Sequence, residues 1–172
     1  MKRLYFILLV FTMLLALQAC TRSYEIYSTK YRVSFSCDIS KMPFSKVQTS
    51  GYFLAVRPTA TEDGYKVREP DGKELTIPYT EVHSRVFNFG LAGLIIGRPY
   101  FGDGEYYVYD LGCPHCDIAS AILDVTDRGV AACTKCHNSY DLNNGGGAKT
   151  SDSRPLYRYQ TTLNGSMLIV HN

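Results

Sequence analysis

The chain has 172 residues, 45% of them apolar and 20% charged, a composition that excludes both a disordered polypeptide and a bundle of membrane helices. Two of its 18 basic residues, Lys2 and Arg3, fall in the first nineteen positions, so the remainder balances 16 basic against 16 acidic residues. A neutral domain gives no electrostatic footprint for DNA or RNA, and no nucleic-acid partner is expected. The stretch after residue 19 suffices for one domain with a single apolar core and is too short for two of ordinary size.

The N-terminus has the layout of an address. Lys2-Arg3 precedes an apolar run from Leu4 to Leu17, interrupted by Thr12, and then Leu17-Gln18-Ala19-Cys20. The run is short of the about 20 residues that a spanning helix needs, and the pattern predicts a cleaved signal peptide over residues 1–19. The small residue before a cysteine resembles the bacterial lipoprotein box. That resemblance implies that Cys20 is the lipidation site and becomes the new N-terminus. The chain would then be tied to a lipid membrane of the bacterial cell envelope, in the periplasmic or the outer-membrane leaflet. Several acyl chains on one residue hold firmly, since each buried methylene contributes about 0.8 kcal/mol. A plain signal peptide with an incidental cysteine is the alternative.

Residues 20–30 are polar with scattered tyrosines and read as a tether, with one β domain over 31–172. Tyr31–Phe35 and Tyr65–Val67 alternate apolar with polar residues, as half-buried strands do. Gly51–Val56, Leu75–Tyr79, Val82–Phe87, Leu94–Ile96 and Tyr106–Tyr109 are further β-rich segments, with His83 on one of them. Turn chemistry separates them at Asp63-Gly64, Pro70-Asp71-Gly72 and Gly102-Asp103-Gly104. Glu62, Asp63, Lys66 and Arg68 read as the charged surface of a solvated hairpin. Gly90, Gly93 and Gly97 are not followed by the Gly-Lys-Ser/Thr of a phosphate loop and instead predict bends in a strand pair. Leu156–Thr162 and Met167–Val170, joined through Asn164-Gly165, predict a closing hairpin. No segment keeps a helical period for three turns, so the fold class is all-β, built from two or more small sheets.

Six cysteines occur, and four of them form Cys113-Pro114-His115-Cys116, sixteen residues, and Cys133-Thr134-Lys135-Cys136, with His137 next. Two C-x-x-C pairs at this separation have zinc-ribbon spacing. A tight turn can present two thiolates to one ion, and two such turns complete a tetrahedron. Cys37, in a strand-like run, reads as a small buried hydrophobe, and His83 and His171 as solvent-facing or sheet-edge residues.

The flanks suggest something narrower. Cys113-Pro-His115, Cys133, Tyr140-Asp141-Leu142 with glycines after it, and Pro155-Leu156 with Tyr159 resemble the Rieske domain. So does the approach through Gly90–Gly97 and Tyr106–Leu111; the resemblance spans roughly Ser50 to His171. It implies small β-sheets or a sandwich carrying a two-loop metal-binding subdomain, with loops at 112–117 and 132–141. It further implies a [2Fe–2S] cluster, electron transfer and a redox partner protein. In that family each loop gives one Cys and one His, as C-x-H and C-x-x-H. Here the first loop keeps Cys113 and His115, whereas the second has Cys133 with Cys136 in the histidine place. His137 falls one residue late, Asn138 stands in the place of the family's serine, and Tyr140 keeps the tyrosine place. Ile118 and Lys135 occupy the positions of the disulfide that some members have.

Cys113, Cys133 and Cys136 therefore belong to any metal reading, and the fourth ligand is either Cys116 or His115. His137 reads as a neighbour that tunes a thiolate. A thiolate in place of an imidazole adds negative charge, so a cluster ligated in this way should lie below the about −150 to +300 mV of the two-histidine form. Zinc in a four-thiolate site is the alternative cofactor, and it contributes folding energy outright. Disulfides are a third reading, with pairing across the loops expected to be less strained than pairing within C-x-x-C. The start at Lys2-Arg3 resembles a signal for unfolded export, which favours a metal that loads after translocation. No G-x-S-x-G nucleophile motif occurs, and the chain is too short for an added oxygenase domain, so a catalytic site of its own is not expected. The two functions in view are an electron carrier or accessory subunit of a redox complex, and a non-redox binding or structural lipoprotein with a four-cysteine site.

Overall fold

A computed structural model of the protein describes residues 27–101, 104–150 and 154–172; the expected signal segment, Cys20 and the Gly102-Asp103 part of one expected turn lie outside them. The fold is all-β and antiparallel. In chain order the strands are β1 (Val33–Asp38), β2 (Phe53–Pro58), β3 (Gly64–Arg68), β4 (Glu74–Pro78), β5 (Asn88–Phe89), β6 (Leu94–Gly97) and β7 (Tyr107–Asp110). Next come β8 (Leu123–Val125), β9 (Val130–Cys133), β10 (Ser139–Asp141), β11 (Gly147–Ala148), β12 (Arg158–Asn164) and β13 (Met167–His171). A nine-stranded sheet runs β4-β3-β2-β6-β7-β12-β13-β1-β5, and β11-β10-β9-β8 form a separate four-stranded sheet.

The side-chain pattern explains why there are two layers. β1 buries Val33, Phe35 and Cys37 and leaves Ser34, Ser36 and Asp38 partly exposed, as a strand with one wet face should. β2 and β6 have no wet face over their central residues. Leu54, Val56, Leu94 and Ile96 point into a core shared with Phe35, Val67, Val108 and Val170. Phe53, Ala55 and Ile95 point the other way, against Leu111, Leu123, Ala131, Tyr140 and Leu142 of the small sheet and its loops. Each fully buried Leu or Ile contributes about 1.5–3 kcal/mol. The small sheet thus rests on a slab that is apolar on both sides, and so keeps a fixed position. Gly97 is required where β6 passes β2, because a Cβ there would stand 2.3 Å from the Tyr52 carbonyl oxygen and from the Phe53 ring.

Three expectations change. Val82–Phe87 is not a strand: His83–Val86 form one helical turn, with the His83 N–H donating to Thr80 Oγ1 at 3.2 Å and the Phe87 N–H to His83 O at 3.0 Å. Val82 is 66% exposed and Val86 45% exposed, so the apolar alternation there does not face a core, whereas Phe87 packs inward against Phe35. Arg68, expected as a solvated hairpin charge, reaches across to Asp124 of β8 at 2.6 Å and links the two sheets. The end of the expected tether is held on the domain, with the Ser28 N–H donating to Arg158 O at 2.7 Å and Asn172 Nδ2 donating to Ser28 O and Tyr31 O. The closing hairpin forms as β12–β13 through Asn164↔Met167, and Cys37 is buried in the main core.

Candidate metal centre

Two loops carry the cysteines, and each is built the same way. In the first, between β7 and β8, the Asp117 N–H donates to Cys113 O at 2.8 Å and the Cys113 N–H to Ala121 O at 2.9 Å. In the second, between β9 and β10, the His137 N–H donates to Cys133 O at 3.0 Å and the Cys133 N–H to Asn138 O at 2.8 Å. Both turns close through a left-handed residue after the second cysteine, Asp117 at φ 55° and His137 at φ 62°. Asp and His are among the few side chains enriched in that region. Each turn thereby brings the sulfurs of an i, i+3 pair to one side.

The two turns face each other. Cys113 Sγ lies 3.6 Å from Cys136 Sγ, Cys116 Sγ lies 3.9 Å from Cys133 Sγ, and all four sulfurs are within 4.8 Å of one another. Four thiolates about 2.3 Å from a single ion at tetrahedral angles lie about 3.8 Å apart. The donor set therefore fits one tetrahedral ion with little adjustment. Cys113 and Cys133 are buried, Cys116 and Cys136 half-buried, and the cysteines are free thiols. Neither histidine belongs to the converging group; His115 and His137 are both exposed. The Asn138 side chain accepts from Thr150 Oγ1 at 3.4 Å.

The surroundings adjust the charge on sulfur. Tyr140, fully buried, places its hydroxyl 3.3 Å from Cys113 Sγ. The N–H groups of Lys135 and Cys136 point at Cys133 Sγ from 3.4 and 3.5 Å. Burial pushes the Cys133 thiol up, but the Cys136 and Lys135 N–H groups and the neighbouring thiols outweigh it and bring the group down to about 7. Burial and the Cys136 and Cys133 sulfurs push Cys116 up to about 12, and burial also raises Cys136. Cys133 is thus the sulfur these surroundings shift towards the thiolate, the form that binds a cation.

Two acidic groups missed by sequence reasoning fix the first loop. Asp110, at the end of β7, is fully buried and accepts from the Leu91, Ala92 and Gly112 N–H groups and from the Tyr159 hydroxyl at 2.6 Å. Its carboxyl is raised by desolvation, against which these four donors act. Gly90, at φ 71°, lets that turn approach, because a Cβ would sit 2.2 Å from Asp110 Oδ2. Asp117, directly after Cys116, is bound by Lys30 Nζ and by the Tyr31 and Tyr157 hydroxyls, both at 2.8 Å. The Lys30 ammonium and these two hydroxyls hold the Asp117 carboxyl down to about 2. The one sequence signal for Asp117 is its position: it stands after its C-x-x-C pair where His137 stands after the other.

No protein-family model and no curated protein matches the chain. Among solved structures, the ferredoxin of Sphingomonas yanoikuyae B1 is 21% identical over 69% of this chain and 97% of its own, with a TM-score of 0.34. A chain from the complex of reduced oxygenase and oxidized ferredoxin in carbazole 1,9a-dioxygenase is 18% identical over 49% of this chain and 74% of its own, with a TM-score of 0.34. The ferredoxin of carbazole 1,9a-dioxygenase from Nocardioides aromaticivorans IC177 is 16% identical over 45% of this chain and 73% of its own, with a TM-score of 0.30. At this level the overlap is partial, and it is the sulfur geometry that identifies a group able to hold a metal.

Proposed function

We propose that this chain is a metal–thiolate protein in which Cys113, Cys116, Cys133 and Cys136 together bind one tetrahedral ion, zinc in the first instance, and that the ion fixes the two loops on a β domain. The observation that carries this is the mutual approach of all four sulfurs to within 4.8 Å, with edges of 3.6 and 3.9 Å. A [2Fe–2S] cluster has two irons and must spread its two pairs of ligands apart, whereas a single ion draws all four together. A closed four-thiolate site of this kind contributes folding energy and has no open coordination position for substrate. The protein then acts as a metal-stabilised binding or structural module. The Leu17–Cys20 segment supports placing it on a membrane of the bacterial envelope through acylated Cys20.

A second reading is electron transfer through a four-thiolate [2Fe–2S] cluster. It is favoured by the Tyr140 hydroxyl beside Cys113 and by the two N–H groups on Cys133, since donors to sulfur tune a cluster's potential. Protein purified without oxygen or chelator separates the two. One equivalent of zinc and no visible absorption supports the first; two irons, two sulfides and a coloured protein support the second. A protein that takes up neither overturns both.

A further inference from the structure

The two knuckles are alike in backbone but not in support. The second closes a hairpin, with Ser139↔Ala132, Tyr140↔Ala131 and Asp141↔Val130 paired immediately behind it. Behind the first, β7 and β8 are joined by the isolated bridge Gly112↔Ile122. The first knuckle also depends on a left-handed aspartate, Asp117, whose N–H closes the turn on Cys113 O. The groups that hold that aspartate come from far away in the chain. Lys30 and Tyr31 precede β1, and Tyr157 precedes β12. The Tyr31 and Tyr157 rings meet edge to face at 5.6 Å, and the Lys30 ammonium lies over both, 5.2 and 5.4 Å from their centroids, while contacting the Tyr157 hydroxyl at 3.2 Å. A carboxylate accepting three donors cannot rotate freely, and neither can the backbone that carries it.

We propose that Asp117 and its Lys30–Tyr31–Tyr157 clamp are positioning residues for the metal centre, and that metal occupancy and docking of the N-terminal segment at Ser28–Tyr31 stabilise each other. This rests on the four-cysteine reading above. The clamp holds the knuckle that presents Cys113 and Cys116. Seating the segment therefore prepays part of the ordering that an entering ion would otherwise impose. By linkage, the ion must strengthen docking of the segment by the same factor that docking strengthens metal binding. The Ser28 N–H, bonded to Arg158 O, reports on docking directly. If residue 20 is tied to a membrane, the metal state of the domain sets how closely the domain is held to its anchor.

The test uses the full chain and zinc. Zinc affinity is measured by competition with a chromogenic chelator for wild type, Asp117→Asn and Lys30→Met, and exchange of the Ser28 amide is measured with and without zinc. Asparagine tolerates the left-handed backbone, so Asp117→Asn removes the charge that Lys30 pairs with while leaving the turn. Tyr157→Phe, which deletes one hydroxyl, is the milder variant should the others fold poorly. The expected result is about tenfold weaker zinc binding in the variants, a smaller zinc-induced rise in melting temperature with the metal-free value little changed, and slower Ser28 exchange in the zinc form. A merely structural clamp would lower metal-free and zinc-bound melting equally. Wild type that binds zinc, with variants that bind it as tightly or Ser28 exchange indifferent to zinc, overturns the coupling alone. Wild type that binds no metal overturns the four-cysteine reading together with it.

Discussion

Tyr140 offers the sharpest perturbation of the centre. Its ring is fully buried beneath the second knuckle, and its hydroxyl sits 3.3 Å from Cys113 Sγ. Once Cys113 is a thiolate it has no proton, so the tyrosine must be the donor. Tyr140→Phe keeps the ring and removes the hydroxyl that faces Cys113 Sγ. A hydrogen bond to a charged group contributes about 1.5–3 kcal/mol. At about 1.4 kcal/mol per decade, metal affinity should fall by about 10–100-fold. Metal-free stability should change far less, because a neutral thiol is a weak acceptor. Competition against a chelator of known affinity gives the first quantity and urea unfolding of the metal-free protein gives the second. Equal metal affinity in wild type and variant would refute the claim that the hydroxyl stabilises charge on Cys113. A large loss of metal-free stability would show that the hydroxyl serves the fold instead.

Cys133→Ser should abolish the rise in melting temperature on adding metal, read by calorimetry with and without one equivalent of zinc, because the remaining three sulfurs no longer close a tetrahedron. Asp110→Ala strands the Leu91, Ala92 and Gly112 N–H groups and the Tyr159 hydroxyl, each at about 1–3 kcal/mol, so urea unfolding should show a loss above about 3 kcal/mol. Tyr159→Phe, which removes one donor, should cost less. In the metal-free protein, the depressed Asp117 carboxyl stabilises the seated Ser28–Tyr31 segment locally, a contribution that is fully present above its ordinary value of 3.8 and is lost as pH falls through about 2. Protection of the Ser28 amide, taken relative to its unstructured exchange rate at each pH, should therefore fall over that window in wild type and less in Asp117→Asn.

The parts of this molecule that were legible in its sequence are those fixed by local geometry. The alternation read over Tyr31–Phe35 falls partly on β1, which starts at Val33 and runs on to Asp38, and the turn at Asn164-Gly165 joins β12 to β13, because a two-residue period needs few residues to show. The cysteine pairs were legible because an i, i+3 spacing closes within a single turn. The hidden parts are non-local or too short. Strands β8 to β11 run two to four residues, less than a period needs to be distinguished from loop. Val82–Phe87 imitates a strand but has no sheet neighbour among the described residues, and the Thr80 hydroxyl starts a helical turn there instead. The Lys30–Asp117 contact joins residues 87 apart, and nothing near either one announces it. Asp110 looks like one acid among sixteen until the fold buries it against four donors.

X-ray absorption at the metal edge of the loaded protein tests the central claim most directly. Four sulfur neighbours at about 2.3 Å and no metal–metal scattering is the result expected of one ion held by Cys113, Cys116, Cys133 and Cys136. A second metal within bonding distance of the first, or nitrogen from His115 or His137 in the first shell, would contradict it.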